Sequence, residues 1–418
     1  MRPPWIYVPT LYFAEGLPYT IVMTVSAIMY KQMGMSNQFI GYTSIFYVPW
    51  VIKMFWSPVV DLYGTKRSWI TGTQLCLAVL FAFLAFSIMS SWYALLTVVV
   101  FWILAFVSAT HDVAIDGYYL LALDKKSQAF FLGVRSTCFR LSIIFGSGML
   151  VIWAGTIEKV TGIIPLSWSS VMVIPAFIFL CMFLFHTFYL PHPPSDARPT
   201  GYHHIADFRE AFRTYFRQEK IIPVIAFILL YRLGEAMLVK MIPPFLLDPV
   251  AAGGLGLGTD TLGYVYGTVG VFSLCAGGIL GGFLISRFGL KRCIWPMALA
   301  LNAPDIFYIY LSMAQPSLAT VYLLIALEQL GYGLGFTAFG VFLMYITREP
   351  YKTSHFAIST GLMALGMMLP GMLSGELQAV LGYTGFFMTV LVLTLPGMLL
   401  LFFIPLEHNH RVDIRSQE

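Results

Sequence analysis

Apolar residues run in blocks of spanning length along almost the whole chain. They fall near 5–30, 38–60, 69–89, 93–122, 129–154 and 167–190, then near 221–246, 261–285, 292–313, 317–346, 353–375 and 383–405. Each block is long enough for an α-helix to cross a hydrocarbon core, which takes about 20 residues. In lipid the backbone must satisfy its own hydrogen bonds, so helices are the expected form. The pattern predicts an all-α membrane protein of twelve helices in two six-helix bundles. The expected domains are 1–190, a linker 191–220 with an amphipathic helix, 221–405 and a tail 406–418. Within the linker, Asp207–Lys220 is basic and amphipathic, with Arg209, Arg213 and Arg217 four residues apart. It reads either as a helix on the membrane surface or as a solvated connector.

Composition agrees with this reading. The chain is 58% hydrophobic and 11% charged over 418 residues, against about 25% charge in a soluble domain. The five cysteines are scattered and odd in number, so neither a disulfide framework nor a metal site is expected. No phosphate-cradling Walker loop occurs, which argues against ATP-driven work by this chain. No cofactor, metal or nucleic acid is expected. The first block, with Glu15 inside it, lacks the basic leader and small-residue cleavage site of a secretory signal and reads as a retained span.

Lys and Arg set the expected orientation. With the N-terminus in the cytoplasm, seventeen basic residues fall in cytoplasmic segments and two, Lys31 and Lys159, in outer loops. That asymmetry places both termini inside.

The two halves echo each other. Asp61-Leu-Tyr-Gly-Thr-Lys-Arg67 ends the second block and Ser286-Arg-Phe-Gly-Leu-Lys-Arg292 ends the eighth, with Gly64 and Gly289 separated by 225 residues. Lys125-Lys-Ser127 parallels Lys352-Thr-Ser354, and Leu11-Tyr12 before Glu15 parallels Leu230-Tyr231 before Glu235. Matches six spans apart indicate two six-helix halves in parallel repeat.

Charges inside the blocks carry the chemistry. Lys53, Arg135, Arg140, Arg232, Lys240, Glu15, Asp112, Asp116, Glu235, Asp305 and Glu328 all lie within apolar stretches. A charge at the bilayer centre costs roughly 2.5–3.5 kcal/mol on insertion scales, so such residues persist where they face a cavity, a partner or a solute. At about 1.5 Å per residue, Asp112 and Arg140 lie at matching heights in the fourth and fifth blocks, and Asp116 and Arg135 at a second. They are expected to form a ladder of facing pairs.

Asp112 and Asp116 are i,i+4 on one face, and two close carboxylates resist joint ionisation. The ladder is expected either to take up protons or to lock two helices structurally. Proton coupling is assigned to Asp112, Asp116 and Glu15. Solute contacts are assigned to His111, Arg140, Arg135, Lys53, Arg232, Glu235, Tyr12 and Tyr231. Tyr19, Tyr47 and Trp50 are further aromatics beside the charges. Asp305 and Glu328 read as a helix–helix contact. Breaks are expected at Gly16-Leu-Pro18, Pro49, Pro58, Pro243-Pro244 and Pro370-Gly371, since irregular backbone in membranes lines cavities.

The end of the second block resembles the GxxxDRxGRR loop of the major facilitator superfamily, and Gly282–Arg292 is similar to its second copy. Leu62 and Ser286 depart from the usual Arg and Asp. A gating role is implied for Asp61, Gly64, Lys66, Arg67, Arg287, Gly289, Lys291 and Arg292. Within that superfamily the chain resembles the AmpG-type muropeptide permeases through Ala14-Glu-Gly-Leu-Pro18, Lys53-Met-Phe-Trp-Ser-Pro58, Ser108-Ala-Thr-His-Asp112 with Asp116, Tyr231-Arg-Leu-Gly234, and Glu328 before the glycines that follow it.

The resemblance implies a proton-coupled, monomeric importer of anhydro-muropeptides in a bacterial inner membrane. It also implies a binding and coupling role for Asp112; His111 stands where the family usually has Gln. Siderophore importers and acyl-CoA transporters carry a similar second-block signature and are the alternative. An intramembrane enzyme lacks a motif here, and a channel or sensor would lack coupling.

Overall fold

In the computed structural model, the structure describes residues 3–193, 196, 204–348 and 351–406, with the side chains at 58, 61, 62, 125, 126, 129, 204–208 and 353 excepted. Every regular element among the described residues is helical. Ten segments are long and apolar enough to cross a membrane. We label them with their connecting helices in chain order. They are α1 (Pro4–Gln32), α2 (37–62), α3 (Lys66–Ile88), α4 (Tyr93–Ala122), α5 (125–161) and α6 (Ile164–Tyr189), followed by α7 (His204–Phe216), α8 (Ile221–Leu247), α9 (Thr259–Phe288), α10 (Leu290–Ala314), α11 (Leu318–Tyr345) and α12 (Lys352–Leu393).

Two features separate this count from the twelve expected. α2 is interrupted by a 3-10 turn at Thr43–Tyr47. The last two expected spans follow one another in α12 as two helices joined at a kink. The kink is at Gly382, where φ is 66° and ψ is 176°. A side chain there would be strained, so glycine is the residue that permits the turn.

The break expected at Pro49 falls just before it, at Thr43–Tyr47, and the others fall elsewhere than expected. α1 runs through Pro9 and Pro18 and loosens into a π-turn only at Ile21–Val25. α8 continues through Pro243 and Pro244, and α12 through Pro370. α8 instead breaks at Tyr231–Arg232, and α10 at a 3-10 turn, Ala303–Asp305. Neighbouring helices can hold a proline-containing helix straight enough to continue. Gly16 serves contact rather than a bend: a Cβ there would lie 2.1 Å from the Ser142 hydroxyl of α5.

The chain divides into two compact units. The first comprises 1–35, 45–205 and 258–268; the second comprises 36–44, 206–257 and 269–418. The first is built around Tyr7, Leu11, Tyr12, Ile115 and Tyr118. The second is built around Phe227, Tyr231, Phe339 and Phe342. Large apolar residues such as Phe86, Phe188 and Ile279 stay 70–75% exposed. Apolar faces of that extent suit lipid rather than water. In the second unit, α7 packs by its apolar side: Ala211 and Tyr215 are buried, and the Tyr215 and Ser359 hydroxyls lie 2.9 Å apart.

Candidate functional site

The charged residues of the first unit gather where α1, α2, α4 and α5 meet. Lys53 Nζ lies 2.5 Å from Asp112 Oδ2. Arg135 Nη2 lies 3.0 Å from Asp116 Oδ1, which also accepts from the Tyr12 hydroxyl at 3.0 Å. The Arg135 guanidinium sits 4.5 Å over the Tyr12 ring and 5.2 Å over that of Tyr119. Such cation–π contacts hold a planar guanidinium in one orientation. Glu15 is buried beside Asp112, Asp116 and Arg135, and no donor reaches its Oε2. Three carboxyls thus share two bound cations within one cluster. Charged forms of all three in a low-dielectric setting are costly, so the arrangement can exchange a proton.

The cluster keeps access to its surroundings. The side chains of Lys53 and Asp112 are 23% and 17% exposed, and those of Arg135 and Asp116 are 28% and 45%.

Several expected partners are placed differently. Arg140 does not complete the ladder: Lys53 takes Asp112, and Arg140 Nη1 is buried with no acceptor. Helical rise fixes height along the bundle but not direction around the helix. His111 also leaves the cluster. It is fully buried against Phe179, its Nε2 is 3.2 Å from the Gln74 amide nitrogen, and Gln74 Oε1 is 3.0 Å from His186 Nδ1. This polar string through α4, α3 and α6 lies inside the packing. Gln74 and His186 carry no periodic signal that would have found them.

In the second unit, Tyr231 is a core residue. It stacks on Phe339 at 4.9 Å and its hydroxyl donates to the Gly335 carbonyl at 3.3 Å. Arg232 turns to α11, hydrogen-bonding the Tyr332 hydroxyl and lying 4.9 Å over the Phe336 ring. Glu235 is buried, and neither of its oxygens receives a hydrogen bond.

The first of the two loop motifs is ordered by caps. Gly64 and Gly289 both take positive φ, 77° and 80°, so the repeat holds in backbone conformation as well as in letters. The first helical N–H groups of Lys66 and Arg67 donate to Asp196 at 2.7 and 3.1 Å, where a carboxylate also complements the helix dipole. Arg67 Nε donates to the Leu190 carbonyl at 3.1 Å. Lys66 lies across Gly117 of α4, where a Cβ would come within 2.8 Å of its Cε. Arg287 lies 5.7 Å over Phe288, and Lys291 and Arg292 are exposed. The Asp61 side chain lies outside the described residues.

The sequence profile of the Major Facilitator Superfamily matches residues 10–301. The chain belongs to the Major Facilitator Superfamily. It is a multi-pass membrane transporter and not an enzyme. It is 26% identical over 398 residues to the anhydromuropeptide permease of Escherichia coli strain K12, covering 93% of this chain and 77% of that one. It is 22% identical over 415 residues to a putative AmpG 4 transporter of Rickettsia conorii, covering 94% and 95%. It is 25% identical to an uncharacterized protein of Haemophilus influenzae, covering 95% and 94%. Among solved structures, a D-xylose–proton symporter matches with a TM-score of 0.76 at 11% identity over 96% of each chain. The nucleoside transporter NupG matches at 0.68 and 17%, covering 94% of this chain and 96% of its own. These likenesses show the fold.

Proposed function

We propose that this transporter carries anhydro-muropeptides or closely similar bulky polar solutes from periplasm to cytoplasm, driven by protons, across a bacterial inner membrane. The substrate reading rests on the likeness to the anhydromuropeptide permease. The coupling reading rests on one observation: Asp112 is held at 2.5 Å by Lys53 while Glu15, with no donor at its Oε2, lies buried beside it. Protonating Asp112 removes the charge that holds Lys53, and the freed ammonium must find another partner. Such a change can bias which side of the transporter is open. Inward proton movement gains about 2.3 kcal/mol per charge per 100 mV. Arg140, with a buried nitrogen lacking an acceptor, is positioned to take an anionic group of the solute. Arg135, fixed between two tyrosines, positions Asp116. Gly64–Arg67 and Arg287–Arg292 act as the paired cytoplasmic gating loops. The chain makes twelve passes, works as a monomer and keeps both termini in the cytoplasm.

The deciding experiment is uptake into proteoliposomes under an imposed pH gradient, with muropeptides and iron chelates as competing solutes. Accumulation of the muropeptide in the wild type, and its loss in a folded Asp112→Asn variant, is the expected result. Undiminished gradient-driven uptake by that variant would remove Asp112 from the coupling role. Uptake of the chelate alone would replace the substrate.

A further inference from the structure

A second group of carboxyls lies in the second unit, away from the cluster on α1, α2, α4 and α5. Glu235 stands on α8 three residues beyond its break at Arg232. Asp305 closes the 3-10 turn that interrupts α10, and Glu328 lies within α11. All three are at most 1% exposed. Glu235 and Glu328 are within electrostatic reach of Asp305 and of each other. Glu328 accepts from the Tyr308 hydroxyl and from the Gln329 amide, each at 3.0 Å. No donor reaches either oxygen of Glu235 or of Asp305.

Two undonated carboxyls, each close in sequence to a helix interruption and within electrostatic reach of one another, are a costly arrangement. Irregular backbone at membrane depth persists where it serves a site, and a buried carboxylate with no donor is strongly disfavoured. The charged groups around it relieve this in part at Glu235 and not at Asp305. Arg232 is within reach of Glu235, but its guanidinium is engaged with Tyr332 and Phe336. The charges that reach Asp305 are both negative. Lys240, five residues along α8 from Glu235, is buried with no acceptor at its Nζ. On α12, His355 is engaged with Thr214 and Glu376 with Tyr42, while Lys291, Arg292 and Lys352 are exposed. No group of three side chains among the described residues is arranged to hold a metal ion. The ligand that fits is the smallest cation.

We infer that Glu235 and Asp305 form a second proton-binding site, in the second unit, beside the hydrogen-bonded Glu328. The inference deepens the proton-driven reading above and rests on it for its use in transport, though proton occupancy itself is independent of the solute. Each proton adds to a carboxylate oxygen and leaves a neutral acid, removing the cost of the buried charge.

Infrared spectroscopy of the full chain in liposomes at neutral pH tests this through the carbonyl stretch of protonated carboxylic acids. Glu235→Gln and Asp305→Asn are each expected to remove one component of that band. Carbon-13 labelling of Asp or of Glu, compared between each variant and the unmutated protein, is expected to identify the lost component as an Asp or a Glu. Glu235→Asp and Asp305→Glu, which keep an acid at each position, are expected to move that component rather than remove it. A band unchanged in both Glu235→Gln and Asp305→Asn overturns the inference. So does a band that disappears when sodium chloride replaces potassium chloride at constant pH, which would assign the site to sodium. Failure of muropeptide uptake with the band intact removes the proposed substrate and leaves this site standing.

Discussion

Lys53 and Asp112 are each a liability in lipid alone and tolerable together. Removing one partner of a buried pair costs about 3–5 kcal/mol. Because this pair is 23% and 17% exposed, we expect about 1–3 kcal/mol after solvent screening. Lys53→Met should therefore lower the melting temperature in detergent. Adding Asp112→Asn should recover part of the loss, which a double-mutant thermal cycle measures. Equal and additive losses would mean that the pair does not couple. Arg135 makes a different demand. Its flat guanidinium lies over Tyr12 and Tyr119 while reaching Asp116. Arg135→Lys keeps the charge and loses the stack, worth about 1 kcal/mol. The expected outcome is a small fall in melting temperature with a larger fall in uptake rate, read from the same protein preparation.

At the scale of elements, glycines set how closely helices pack. In the second unit a Cβ on Gly333 of α11 would come within 2.2 Å of the Leu274 carbonyl of α9, and one on Gly277 within 2.0 Å of the Leu330 carbonyl. Small residues let membrane helices meet backbone to backbone. Gly333→Val should push these helices apart and cost about 1–3 kcal/mol or more. Gly282→Ala, one turn from Gly278 on α9 and with nothing within 4 Å, should stay within about 0.5 kcal/mol. Thermal unfolding of the two variants side by side checks the contrast, and similar melting points would show that the close contact is dispensable. The same scale explains why the proline positions misled. A proline removes one backbone donor, yet α1, α8 and α12 continue past theirs, and the breaks fall at Arg232 and Ala303–Asp305.

For the whole molecule, the distribution of Lys and Arg predicts which ends and loops face the cytoplasm. In a cysteine-free background, Ser91→Cys should react with a membrane-impermeant maleimide added outside intact cells. Arg217→Cys should react only after permeabilisation. Both sites are exposed. The reverse pattern would invert the orientation.

Chain composition and pattern alone determined that this protein is helical, spans a membrane many times and repeats itself over two halves. These follow from the free energy of burying backbone and charge in hydrocarbon, which acts on each segment locally. The short loop motif with its glycine determined the family, and both copies take the same positive φ. Which charges meet was decided in three dimensions. Sequence spacing gave Asp112 and Arg140 the same height, but azimuth around each helix handed Asp112 to Lys53 and turned His111 inward to Gln74. The convergence of Glu235, Asp305 and Glu328 from α8, α10 and α11 was likewise set by packing between segments distant in sequence. Rotation about a helix axis is fixed by neighbouring surfaces, and no single segment carries that information.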